Sequence, residues 1–232
     1  MIAVVPFEKL GAFRNEWLNA RHHFSFGEYH DPGRMGWGAL RVWNDDQIAP
    51  GTGFPLHGHR DMEIVTYVRE GAITHRDNLG NEGVTAAGDV QVMSAGTGIL
   101  HSEVNAGAEP CLLFQIWILP QRLGVKPRWE TRQFPRGDRR GKLVPLASGR
   151  AQDRDAMTIH ADAAILGARL GEGESAVHSL APGRRAYVVP TRPGLSINGI
   201  DVPARAGAAI TGESTLTLLA AQPLEIVVAD VP

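Results

Sequence analysis

Residues 54–80 read FPLHGHRDMEIVTYVREGAITHRDNLG, and residues 88–105 read GDVQVMSAGTGILHSEVN. Each stretch sets a pair of metal-capable side chains two residues apart, His57/His59 in the first and His101/Glu103 in the second. Successive side chains of an extended strand point to opposite faces, so residues two apart share a face. Two such strands running antiparallel across a barrel interior would bring both pairs to one point. Three neutral imidazoles and a carboxylate suit a divalent transition metal with open coordination positions. Glu63 competes for the carboxylate place. It lies an even number of residues after both His57 and His59, so parity would also turn it inward if the strand continued. Spacing leaves the two glutamates level.

The remainder of the chain frames that pair of motifs. Its 232 residues suffice for one large or two small domains, and a hydrophobic fraction of 43% with a net charge of −2 describes a globular protein with an adequate core. No run of about 18 apolar residues occurs, so no membrane span is expected. The opening MIAVVPFEKL lacks a basic segment followed by a long apolar one, so a signal peptide is not expected and a cytoplasmic location is. The sole cysteine, Cys111, excludes an intrachain disulfide and a cysteine-cluster zinc site; within EPCLLFQIWIL it reads as a small core residue of a strand.

Charge is uneven. Residues 1–120 carry 8 basic and 14 acidic side chains, a net of −6, whereas residues 121–232 carry 15 and 11, a net of +4. Much of the excess lies in QRLGVKPRWETRQFPRGDRRGK, residues 121–142. A nucleic-acid reader uses such a stretch electrostatically. Pro127, Pro135, Gly137 and Gly141 within it favour a solvated inter-domain connection, so a nucleic-acid partner is not expected.

Glycine and proline punctuate many short β-prone runs, which predicts an all-β sandwich or barrel. Asn198-Gly199 within SINGIDV suits a two-residue type I′ hairpin, and NLGNEG at 78–83 reads as a longer hairpin loop. FEKLGAFRNEWL is the best candidate for a short helix, weakened by Gly11. After the basic stretch the chain repeats its plan, with AGAAI standing where the first half has AGDVQV. The expected organisation is a metal-binding barrel over 1–120, a connecting segment over 121–145 and a second barrel over 146–232.

GTGFPLHGHRDME resembles the first cupin motif: a glycine, five residues, His-x-His, three residues, then Glu63. GDVQVMSAGTGILHSEVN is similar to the second, with Gly88, Gly96, His101 and Asn105, though Ser94 stands where the general pattern has proline and the glycine-to-histidine gap is longer. Those departures are themselves those of the pirin variety. The likeness extends through HFSFGEYHDPGRMGWGALRVWNDD and QIWILP, and so covers most of residues 22–120; HSLAPGRRAYVV and INGI resemble the pirin C-terminal cupin.

The resemblance implies two tandem cupin barrels and a metal held by His57, His59, His101 and Glu103. Glu63 then becomes either a residue beside the site, orienting an imidazole, or a structural one. Iron(II) leads among the implied metals, with Cu, Mn, Co, Ni or Zn compatible with the same donors. The implied activity is that of a quercetin 2,3-dioxygenase, cleaving a flavonol with O2, and Glu103 doubles as the catalytic base. The alternative is a non-catalytic, iron-dependent redox sensor that docks a protein partner through the basic stretch. In the second half only His160 and His178 remain, without a His-x-His pair, so that barrel is expected to shape the first rather than hold metal. Two barrels in one chain can satisfy each other's packing, which predicts a monomer. His22 and His23 read as packing or surface residues, His75 as a strand-end residue, Trp117 as core and Met93 as a residue lining the site.

Overall fold

The computed structural model describes residues 1–134 and 139–232; Pro135 and Gly137 of the expected connection lie outside the described residues. The strands come in two matching series. β1 (Ile2–Val5), β2 (Gly11–Arg14) and β3 (Leu18–His22) lead into β4 (Leu40–Ile48), β5 (Gly53–His59), β6 (Glu63–Glu70), β7 (Ala72–Asp77) and β8 (Glu82–Ala86). β9 (Val90–Ser94), β10 (Ile99–Val104) and β11 (Cys111–Ile118) close the first series. β12 (Arg128–Arg132), β13 (Val144–Ser148) and β14 (Met157–Thr158) precede the second: β15 (Ala164–Leu170), β16 (Ser175–Ser179), β17 (Arg185–Pro190), β18 (Leu195–Ile197) and β19 (Ile200–Val202). It ends with β20 (Gly207–Thr211), β21 (Thr215–Ala220) and β22 (Leu224–Val231).

Each series builds a seven-stranded sheet and a four-stranded sheet. The first gives β12-β9-β6-β11-β4-β3-β2 and β5-β10-β7-β8; the second gives β1-β20-β17-β22-β15-β13-β14 and β16-β21-β18-β19. The order β9-β6-β11-β4 recurs as β20-β17-β22-β15, and β5-β10-β7-β8 as β16-β21-β18-β19. The chain is therefore a pair of tandem cupin-type β-barrels, as the repeated plan predicts. Strands are exchanged at the ends. β1 extends the second barrel's large sheet, pairing Ile2 with Ile210, and β12, from the expected connection, extends the first, pairing Trp129 with Met93.

Alternation along the large sheets decides where each side chain goes. On β6, Val65 and Tyr67 face the seam between the barrels, where they pack with Trp43, Phe114, Ile116, Tyr187, Val227 and their neighbours. Ile64 and Val68, of opposite parity, face the first barrel's interior clusters. Burying each large apolar side chain contributes roughly 1.5–3 kcal/mol, so this shared core holds the barrels together. Cys111 packs in the first barrel's core, as its surroundings predict. Polar seam contacts fix the register: Trp37 Nε1 donates to the Ala186 carbonyl at 3.0 Å, and Arg205 Nε donates to Asp45 Oδ2 at 2.6 Å.

Asn198 (φ 49°) and Gly199 (φ 81°) occupy the left-handed conformations that a type I′ turn demands, joining β18 to β19 with Ile197 opposite Ile200. The candidate helix is only a single 3₁₀ turn, Phe7–Lys9, after which Gly11 opens β2. A Cβ at Gly11 would fall 2.3 Å from the Tyr29 ring, so the glycine that weakens a helix is needed for close packing of a strand. Among the described residues, no helix is long and apolar enough to cross a membrane.

Candidate metal centre

β5 and β10 run antiparallel with His57 directly opposite His101 and His59 opposite Ile99. The pairing shifts between His101 and Glu103, so that Glu103 meets Phe54 on one side and His75 of β7 on the other. This places the three motif imidazoles around one point. Ring centroids lie 4.7 Å apart for His57 and His59, 4.4 Å for His57 and His101, and 5.0 Å for His59 and His101. His57 and His59 are half-buried and His101 is buried, so the cluster opens to solvent on the β5 side.

The hydrogen bonds show which nitrogens are free. His57 Nδ1 lies 2.7 Å from the Pro55 carbonyl, which can only accept, so Nδ1 carries the proton and Nε2 keeps its lone pair. Among the described residues His101 Nε2 is buried without a hydrogen-bond partner, a state that burial penalises unless a ligand completes it. Burial and the neighbouring imidazole pull His59 down to about 4; burial and its histidine neighbours pull His101 down to about 3. Both rings are neutral at pH 7, the form in which imidazole binds a metal. Ligating atoms of His57, His59 and His101 lie within 4.8 Å of one another, and the donor set fits a transition ion.

Glu103 sits deeper. Its oxygens accept from Gln91 Nε2 at 2.5 Å and Gln115 Nε2 at 2.8 Å. Burial raises its carboxyl to about 7, against the lowering influence of the two amides. It groups within 4.8 Å with His101 and His75, so His101 is common to both sets of donors.

Glu63 goes elsewhere. β5 ends at His59, the chain turns through Asp61 at φ 46°, and β6 begins in the other sheet with Glu63 on the seam parity. There its Oε2 accepts from Ser94 Oγ at 2.7 Å, which is the structural one of its two expected roles; among the described residues it bonds none of the clustered imidazoles. The premise of a continuing strand fails at the turn.

His75 is also displaced from its expected role. It lies inside β7, fully buried, with its ring stacked on Trp129 at 4.5 Å and 3° and its Nδ1 at 3.4 Å from His101 Nδ1. The pair His75/Asp77 repeats the i, i+2 spacing of the two motifs, a signal that was available in the sequence. Gln91 and Gln115 are single amides on strands whose other inward residues are apolar, and that break in pattern marks them too. Trp129 comes from the segment read as connection, and its distance in sequence hid it.

Trp117 walls the site rather than sitting in a core. Its ring meets His59 edge-on at 4.9 Å and Phe26 at 5.4 Å, while Nε1 donates to Gln115 Oε1 at 3.1 Å. Met93 packs with Ile64, Ala95 and Ile99, against Trp117 and Trp129. His22 and His23 are buried packing residues bonded to Asn44 and to the Tyr187 hydroxyl. His160 meets Arg122 at 2.9 Å, and His178 Nε2 lies 2.8 Å from Asp230 Oδ2.

Two cupin-type barrels with a converging histidine cluster in the first define a bicupin with a candidate metal centre. A family model for pirin matches residues 6–118, and one described as the quercetinase C-terminal cupin domain matches residues 146–231. A protein of Pseudomonas aeruginosa, named provisionally as a quercetin 2,3-dioxygenase, is 55% identical over 100% of both chains. The quercetin 2,3-dioxygenase of Escherichia coli K12 is 40% identical, over 100% of this chain and 99% of its own. The crystal structure of the bacterial pirin YhhW from E. coli in complex with nickel(II) superposes with a TM-score of 0.92 at 40% identity, covering 100% of this chain and 99% of that one. The chain belongs to the pirin family.

Proposed function

We propose that the protein is a metal-dependent dioxygenase of the quercetin 2,3-dioxygenase type. The observation that carries this reading is the convergence of His57, His59 and His101, with the buried Nε2 of His101 left for a ligand. His57, His59, His101 and Glu103 would hold one divalent transition ion, with iron(II) first among the candidates. Support for a divalent ion comes from the nickel(II) complex of the relative, and support for the activity from the relatives' names.

When bound, the ion would supply Lewis acidity toward the flavonol 3-hydroxyl. The chain supplies the rest. Glu103, held by two amides, takes the hydroxyl proton at a carboxylate oxygen. Gln115 fixes that carboxylate and is itself fixed by Trp117 Nε1. Trp117 and Phe26 offer an aromatic wall beside His59 for a planar substrate. The net reaction takes up one O2, opens the flavonol ring and releases carbon monoxide.

Oxygen uptake with quercetin, on protein reconstituted anaerobically with Fe(II), tests the proposal beside a His57→Ala/His101→Ala control. Uptake with carbon monoxide release, lost in the control, is expected. Stoichiometric iron without uptake would sink the flavonol assignment and favour the redox-sensing alternative.

A further inference from the structure

Asp77 closes the β7–β8 turn. Its Oδ1 accepts the backbone N–H groups of Leu79 and Asn81 at 2.9 and 3.0 Å, and its Oδ2 accepts Asn81 Nδ2 at 2.9 Å. The carboxylate so fixed lies 2.9 Å from His75 Nε2. A carboxylate only accepts, so the His75 proton sits on Nε2 and a neutral His75 presents a bare lone pair at Nδ1. Across 3.4 Å stands His101 Nδ1, which must then be the donor. That leaves His101 Nε2 unprotonated, and Nε2 is the atom found buried and without a partner.

The ring that relays this choice is held in place. Trp129 lies parallel to His75 at 4.5 Å, and Gly83, opposite His75 on β8, leaves room for it. A Cβ at Gly83 would come 2.5 Å from Trp129 Cη2. Asp77, His75 and His101 are thus linked by one arrangement of protons.

We propose that His75, anchored by Asp77 and stacked on Trp129, is a positioning residue that holds His101 in its Nδ1–H tautomer with the Nε2 lone pair free for the metal. The proposal deepens the metal-site reading and rests on it only for its effect on affinity; the tautomer itself is a property of the metal-free protein. Partners of this kind, behind a ligating histidine, change metal affinity by roughly 10–100-fold.

Long-range proton–nitrogen NMR of the metal-free protein reads the His101 tautomer directly. The Nδ1–H form is expected in the parent protein, and a mixture or the Nε2–H form in His75→Phe, which keeps a ring against Trp129 but offers no acceptor. Nickel(II) affinity, measured by competition, should fall about 10–100-fold in His75→Phe. His75→Asn, whose Oδ1 can stand where Nδ1 stood, should restore both readouts in part. An Nε2–H His101 in the parent protein overturns the proposal, and needs no variant that might misfold. So does a His75→Phe protein with unchanged tautomer and affinity. Two nickel ions per chain, one lost with His75, would make His75 a ligand and overturn its positioning role. Absence of nickel binding in the parent protein, with the Nδ1–H tautomer present, would instead count against the metal-site reading alone.

Discussion

The two barrels share a framework and differ in what fills them. Matching strand for strand, His57 and His59 on β5 correspond to Ala176 and His178 on β16, and His101 and Glu103 on β10 to Leu218 and Ala220 on β21. In the second barrel Ala176, Leu218 and Ala220 join a continuous cluster of 19 buried apolar residues, while His178 pairs with Asp230. In the first, the interior apolar residues fall into separate clusters of 7 and 4, and the space between them is given to Glu103, His75, His101 and their amide partners. The framework tolerates this because the seam core, common to both large sheets, carries much of the stability. The second barrel's buried carboxylate, Asp230, shows the contrast again. Burial alone would raise it, but bonds from His178 and Arg184 and the charge of Arg150 hold it below the usual range. Glu103 takes its hydrogen bonds from neutral amides and is raised by burial.

Truncating the second barrel's counterpart of His101 should give the largest loss of stability. Leu218 is fully buried between packed strands, so Leu218→Ala is expected to destabilise by about 3 kcal/mol, through lost burial and a residual cavity. Chemical denaturation measures that loss, and metal affinity should stay within twofold. A large loss of affinity would show that the two interiors are not independent. Asp230→Asn comes next. It leaves Arg150 and Arg184 without their shared carboxylate, but Asp153 still pairs with the first and Asp162 with the second. Breaking a buried pair costs up to roughly 3–5 kcal/mol, and the surviving partners bring the expected loss to about 2 kcal/mol at pH 7. A neutral result would mean that the cluster's ion pairs barely outweigh their desolvation.

The repeat, the all-β class and the imidazole cluster were legible in the sequence because each rests on short-range periodicity. His57, His59 and His101 follow from two-residue alternation once the strands pair. What escaped depended on breaks in that alternation or on distant partners. The turn at Asp61 broke the parity that had set Glu63 level with Glu103, and no count of residues reveals a turn of that kind. β1 crosses to the second barrel's sheet, and β12 is a sheet strand built from a segment that reads as connection. Trp129 stacks on a histidine 54 positions earlier in the chain. His75 was the readable omission, since its spacing from Asp77 repeats that of the recognised pairs.

The pH dependence of stability separates the two buried carboxylates by sign. In the metal-free protein Glu103 keeps its proton up to about 7, whereas an unfolded glutamate releases it near 4.5. Between those values the folded state binds more protons, so this group lowers stability as pH rises, by at most about 1.4 kcal/mol per pH unit. His59 and His101, pulled to about 4 and about 3, act in the opposite sense and raise stability with pH up to 6.5. The signature of Glu103 therefore lies in the difference between the parent protein and Glu103→Gln. At pH 4.5 the variant should be the less stable, because its amide meets two amide donors and turning Gln91 to suit would sacrifice the bond from the Thr85 hydroxyl. Toward pH 8 the gap should close and reverse, since the variant has no carboxyl to ionise in a buried site. Urea unfolding of both metal-free proteins at pH 4.5, 6 and 8 measures that gap. Parallel profiles would show that Glu103 ionises in the folded barrel as readily as in water. It would then resemble Asp230 after all, and the distinction between an interior that pairs its carboxylate and one that keeps it protonated would fall.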